Sequence, residues 1–172
     1  MKGLPRSLAH AKPGTEPGPR RVRYDLRDLS VTVTAGASTA KGLGTAVLGD
    51  LPEGNVLFLG AISYLQFESS DTDVSATWDG DYSVGTTASA DTTLDTTDAD
   101  IISSSAIGAA TAKLSPVARG EGDTLNMFNN TDGSLELNLN FTTDDDAVTD
   151  SQTAIFLVNG YVELVYIVLG DD

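Results

Sequence analysis

Residues 134–141, Ser-Leu-Glu-Leu-Asn-Leu-Asn-Phe, alternate apolar and polar side chains without a break. A strand turns successive side chains to opposite faces, so Leu135, Leu137, Leu139 and Phe141 fall on one side and Glu136, Asn138 and Asn140 on the other. A helix would scatter these residues around its axis. The same period recurs at residues 29–34, where Leu29, Val31 and Val33 alternate with Ser30, Thr32 and Thr34. It returns at residues 74–78, with Asp79-Gly80 as a two-residue hairpin turn and residues 81–84 as the return strand. Shorter strands are expected at residues 45–48, 100–103 and 124–128.

Four segments, in two pairs, are apolar on both faces. Residues 55–59 and 61–67 flank Gly60, which is expected to mark a bulge or a bend. Residues 153–158 and 161–169 flank Asn159-Gly160, which is either a hairpin turn or a kink in one long strand. A strand apolar on both faces is buried between layers or covered by another subunit. Residues 85–98 contain Thr, Ala and Asp with almost nothing to bury, as in a long surface loop. Residues 104–114 fit either a strand or a short helical turn, and residues 115–123 are expected to be a loop.

This pattern gives eight or nine short strands with turn signals between them and no long amphipathic helices. The expected fold is all-β: an antiparallel β-sandwich, jelly-roll-like, with an extended N-terminal arm.

The arm is set apart by charge. Residues 1–27 hold seven of the ten basic residues and two of the 25 acidic ones, a net +5. The remaining chain, with three basic and 23 acidic residues, carries −20. Pro5, Pro13, Pro17 and Pro19 keep the first segment from joining a helix or the middle of a sheet. The expected division is an extended basic arm over residues 1–23 and a β domain over residues 24–172. Lys2, Arg6, Lys12, Arg20, Arg21, Arg23 and Arg27 are the candidate docking residues, suited to an acidic surface. The acidic body opposes nucleic acid or an anionic membrane as its partner. Residues 1–13 lack the apolar run of a secretory signal, and no apolar run approaches the roughly 18 residues of a membrane span.

Catalytic signals are nearly absent. With no cysteine and one histidine, thiol chemistry, disulfides and the usual structural zinc sites are excluded. A Ser–His–Asp triad would need His10, which lies in the arm. The acidic loops 71–73, 79–81, 98–100 and 144–146 supply oxygen ligands of the kind calcium prefers, but none has the EF-hand spacing; no cofactor is expected. Asn129-Asn130-Thr131 fits the glycosylation tripeptide without a secretion signal to give it meaning. Trp78 and Tyr82, flanking Asp79-Gly80, would form a sugar platform if exposed and hairpin packing if not.

Residues 44–61, 78–87 (Trp-Asp-Gly-Asp-Tyr-Ser-Val-Gly-Thr-Thr), 130–140 and the ending from Val165 to Asp172 resemble small virion proteins of tailed bacteriophages, above all the head decoration, or cement, proteins. The resemblance implies a non-enzymatic structural protein on the outer surface of the capsid. It would bind the major capsid protein, bridge neighbouring capsomers and assemble as a homo-oligomer, with a homotrimer favoured. Docking by an N-terminal arm would fit the basic segment. The alternative is a receptor- or carbohydrate-binding β-sandwich of a phage tail or head fibre.

Overall fold

The computed structural model describes residues 18–36, 41–122, 125–144 and 146–169. The expected all-β fold is present. Among the described residues nine strands, β1 (Arg20–Ala35), β2 (Gly42–Asp50), β3 (Gly54–Glu68), β4 (Gly80–Gly85), β5 (Ile102–Ala106), β6 (Ala118–Gly122), β7 (Asn126–Asn130), β8 (Glu136–Thr143) and β9 (Thr153–Val168), stand with one short 3-10 turn (Thr96–Asp98). All pairings are antiparallel, and the sheet runs β5-β4-β8-β2-β1-β9-β3-β6, with β7 also on β3. The two ends of this path come together. A side chain on Gly122 of β6 would strike Ile101 O, and one on Gly120 would strike Ile102 Cγ2 and the Tyr82 hydroxyl. The sheet therefore curls nearly closed into a jelly-roll-like sandwich.

The core lies inside this curl. Trp78 meets Phe156 edge-on at 5.0 Å between ring centroids, and Phe141 lies 5.0 Å from Phe156 and 4.9 Å from Phe67. The Tyr82 and Ser63 hydroxyls are 2.8 Å apart across the interior, which satisfies two polar groups buried there. Leu137, Leu139 and Phe141 are fully buried, as the alternation predicts.

The long strands bend at a shared corner. β9 is one strand, so Asn159-Gly160 is a kink and not a hairpin turn. Gly160 has φ +129°, and a Cβ there would lie 1.9 Å from Tyr64 O, so only glycine fits. Beside it the β1–β9 register shifts between Leu26 and Leu29. There the Asp28 N–H donates to Asn159 Oδ1 at 2.9 Å, and Asn159 Nδ2 donates back to Asp28 Oδ1 at 3.1 Å. Gly60 marks the expected bulge in β3.

Three sequence expectations are corrected. Residues 74–78 form no strand; only Val74 makes an isolated bridge, to Val148, and Trp78 turns inward to fill the core. Residues 118–122 are a strand, β6, on the edge of β3. The first strand starts at Arg20, so Arg20, Arg21 and Arg23 are sheet residues: Arg20 pairs with Tyr166, Arg21 with Val165 and Arg23 with Glu163. The alternation Val22, Tyr24, Leu26 packs inward and draws this stretch into the sheet.

Candidate interaction face

β1, β9, β3 and β6 lie side by side, and their outward side chains form one surface. In an antiparallel ladder, directly opposed residues on the same face are close enough to interact. Register places Tyr161 of β9 opposite Tyr64 of β3, and Tyr64 opposite Arg119 of β6. The two tyrosine rings are 5.4 Å apart. The Arg23 guanidinium carbon lies 3.7 Å from the Tyr161 ring centroid, and that of Arg119 lies 5.6 Å from the Tyr64 centroid. The result is a ridge across four strands: Arg23, Tyr161, Tyr64, Arg119. Each end is a cation over an aromatic ring, a contact worth about 0.5–1 kcal/mol where exposed. Arg23 Nε also holds Asp25 Oδ1 at 2.7 Å.

Grooves flank the ridge along the strand direction. One, of about 430 Å³, is lined by Gly60, Ile62, Glu121, Gly122, Glu163 and Val165 among others. Gly60, which carries no side chain, lies at the floor of this hollow. The second, of about 260 Å³, includes Gln66, Val117, Asn159 and Gly160.

Glu163 is the most constrained acid on this face. Its side chain is 8% exposed, yet Arg21, 71% exposed, reaches over it with Nη2 2.6 Å from Oε2. The hydrogen bond to Glu163, and then its charge, hold the Arg21 guanidinium above its ordinary pKa. Arg119 and Glu121, two residues apart on β6, also pair.

The candidate docking residues therefore divide. Lys2, Arg6 and Lys12 lie outside the described residues. Arg21 and Arg23 point to the outer face together; Arg20 alternates to the other side of β1, and Arg27 sits in the bulge next to Asp28. The structure adds Arg119, Tyr64, Tyr161 and Glu163 to this surface. The signal for Arg119 was available in Ala-Arg-Gly-Glu-Gly, a period-two stretch whose inward residues are Ala118, Gly120 and Gly122. Its lack of large apolar residues concealed it.

Trp78 and Tyr82 make no sugar platform. Both are buried, with Trp78 Nε1 donating to Lys113 O at 3.2 Å. Burial also pushes the Tyr82 phenol above its ordinary pKa, opposed by its Ser63 hydrogen bond.

The acidic loops use their carboxylates to order their own backbones. Asp71 Oδ1 accepts the Asp73 N–H, Asp91 Oδ1 accepts the Thr93 N–H, and Asp100 accepts both the N–H and the hydroxyl of Thr86. Among the described residues no three His, Cys, Asp or Glu are grouped to hold a metal ion. Asn140, on the polar side of its strand, is buried beneath the loop that follows β4. Its Nδ2 donates to Thr87 O and Asp98 O, and its Oδ1 accepts the Ser89 N–H, which pins that loop to β8.

No protein-family model matches the chain, and no curated protein matches it. Among solved structures, the chain is similar to part of a structure of infectious bursal disease virus, Gx strain, at 11% identity and a TM-score of 0.42. That match covers 90% of this chain and 34% of the other, so the chain spans about a third of that protein's length. It is also similar to a chain of the cyanophage Pam1 capsid asymmetric unit, at 21% identity and a TM-score of 0.38, covering 98% of this chain and 99% of that one. Neither overlap is close enough to transfer a function.

Proposed function

We propose that this chain is a structural virion protein of the capsid-decoration class, carried on the outer surface of a phage head and stabilising contacts between capsomers. The observation that carries the reading is the segregation of charge along the chain. Seven basic residues precede Asp28, and the chain from Asp28 onward carries −20. A β domain with a basic leading segment is suited to grip an acidic shell while its own acidic surface faces solvent.

In this reading Lys2, Arg6 and Lys12 dock on the major capsid protein, with Arg20 and Arg27 at the base of the docking segment. Arg21 and Arg23 contribute less, because Glu163 and Asp25 already engage them. Single exposed ion pairs are worth about 0–1 kcal/mol. Firm attachment then needs several docking segments acting together from one homo-oligomer, where linkage multiplies weak contacts. The resemblance of residues 44–61, 78–87 and 130–140 to decoration proteins supports the same class.

The carbohydrate-binding alternative loses its proposed platform, since Trp78 and Tyr82 are core residues.

The test is sedimentation of the purified chain with shells that lack it. The full chain is expected to bind with a saturable stoichiometry and to raise the temperature at which shells come apart. Removal of residues 1–19, which leaves β1 intact, is expected to abolish binding. Full occupancy by the truncated chain would overturn the docking role of the basic segment. Failure of the full chain to bind would overturn the virion reading.

A further inference from the structure

We infer that the loop between β4 and β5 holds a calcium ion, with the Asp98 carboxylate as its principal ligand and the Asp95 carboxylate as its second. The inference is independent of the virion reading, because it concerns the free protein.

The observation that points to a ligand is Asp98 itself. The residue is 8% exposed, and its Oδ1 is buried with no hydrogen-bond partner among the described residues. Buried polar atoms are nearly always partnered, and a buried carboxylate without a counter-charge is costly. The chain around it supplies none. Residues 86–112 contain Asp91, Asp95, Asp98 and Asp100 and no Lys, Arg or His. The main chain of Asp98 is fixed, because Ser83 Oγ and Asn140 Nδ2 donate to its carbonyl oxygen at 2.7 and 2.8 Å. The remedy is a small cation brought to Oδ1.

Asp98 lines a hollow of about 210 Å³ between the two limbs of this loop, together with Thr87, Ser89, Asp91, Asp95 and Thr97. Most of the lining side chains carry oxygen. The limbs are already joined at their base. Thr97 O accepts the Thr86 and Thr87 N–H groups, the Thr87 and Thr97 hydroxyls are 2.9 Å apart, and Asn140 bonds to both limbs. The oxygens around the hollow are therefore held close together without an ion.

Asp95 supplies the second carboxylate. The Asp98 N–H donates to Asp95 O at 3.3 Å across the 3-10 turn, and residues three apart in such a turn eclipse one another. Asp95 precedes the turn, yet its side chain makes no capping hydrogen bond. The other two acids of the loop are engaged: Asp91 Oδ1 accepts the Thr93 N–H, and Asp100 accepts two bonds from Thr86. No third carboxylate joins the pair among the described residues, so the remaining ligands are neutral, threonine hydroxyls and main-chain carbonyls of the loop. Calcium accepts roughly six to eight oxygens in an irregular arrangement, whereas magnesium demands a near-ideal octahedron and keeps its waters. An irregular loop rich in neutral oxygen suits calcium.

The test is calcium binding to the full chain after dialysis against a chelator. Isothermal titration with calcium chloride is expected to show one saturable site, and millimolar calcium is expected to raise the melting temperature. Asp98→Asn keeps the shape of the side chain and removes its charge. It is expected to weaken calcium binding at least tenfold and, in chelator, to melt no lower than the unaltered protein. Asp95→Asn should also weaken binding. Asp73→Asn, which removes one charge from the loop before β4, should bind calcium as the unaltered chain does, and magnesium should bind the unaltered chain at least tenfold more weakly. A water at Asp98 Oδ1 in place of the ion predicts no calcium binding, which would overturn the inference. Binding that survives both Asp98→Asn and Asp95→Asn, or that falls equally with Asp73→Asn, would overturn the site. Equal affinity for magnesium would overturn the assignment to calcium.

Discussion

Glu163 lies on the outward side of a central strand and is nonetheless enclosed, with Arg21 Nη2 2.6 Å from its Oε2. The pair spans β1 and β9, one residue in from the start of β1 at Arg20. It ties the start of β1 to the strand at the centre of the structure. Arg21→Ala leaves a carboxylate shielded from water without its cation, so the melting temperature falls. Glu163→Gln removes the charge that needs the partner, so the double variant is less destabilised than the two single effects summed. Thermal melts of the four proteins give the coupling directly.

Closure of the sheet depends on the absence of a side chain at Gly122. A Cβ there would lie 1.7 Å from Ile101 O, too close to be relieved by a side-chain rotation. Gly122→Ala forces β6 away from the segment leading into β5. The expected cost is about 1–3 kcal/mol or more, the range for overpacking a filled interior. Urea unfolding followed by circular dichroism measures it.

Trp78 is the single tryptophan of the chain and is buried. Its native emission is therefore expected at short wavelength, with a shift to the red on unfolding. Trp78→Ala removes contacts with Phe141 and Phe156 and leaves Lys113 O without its donor. A loss of about 3–5 kcal/mol is expected. An exposed platform residue would tolerate the same change with little effect on stability.

Acidic pH should stabilise one part of the structure. Asp79 faces Asp144, with Asp81 nearby and Lys41 on the far side of Asp144. Burial first, then the hydrogen bond and repulsion from Asp144, raise the Asp79 pKa above 3.8. A carboxyl with a raised folded pKa binds its proton more tightly in the native state. Its contribution favours folding at low pH and is lost as pH rises through the folded value. Asp79→Asn should therefore stabilise the protein at neutral pH, with the gain disappearing below the ordinary carboxylate pKa. Asp100 is shifted the same way by burial, with Thr86 opposing. Melting temperatures of Asp79→Asn and the unaltered protein, taken from acidic to neutral pH, test the sign.

The strands that alternate large apolar residues with polar ones, such as residues 29–34 and 135–141, were legible because each needs only its own period. β6 was not legible, because its inward residues are Ala118, Gly120 and Gly122. They are small to admit Ile101, Ile102 and Tyr82 from across the curl, and that demand comes from distant chain. Residues 74–78 show the opposite failure. They alternate correctly, but beyond the Val74 bridge no neighbour accepts a ladder, and Trp78 is worth more in the aromatic core than on a strand face. The start of β1 was obscured by arginines, although Val22, Tyr24 and Leu26 already carried the period. The interaction face was half legible. The arginines were visible as a cluster and the two-faced apolar strands as a surplus, but their union with Arg119 depends on register between strands far apart in sequence.

Attachment to the outside of a virus shell is the central claim. A three-dimensional reconstruction of shells carrying the protein is its most direct test. The predicted result is density for the β domain outside the continuous shell, at junctions between capsomers, connected at Arg20 to further density lying on the major capsid protein. Density for the β domain within the shell wall, or shells that carry none of it, would contradict the claim.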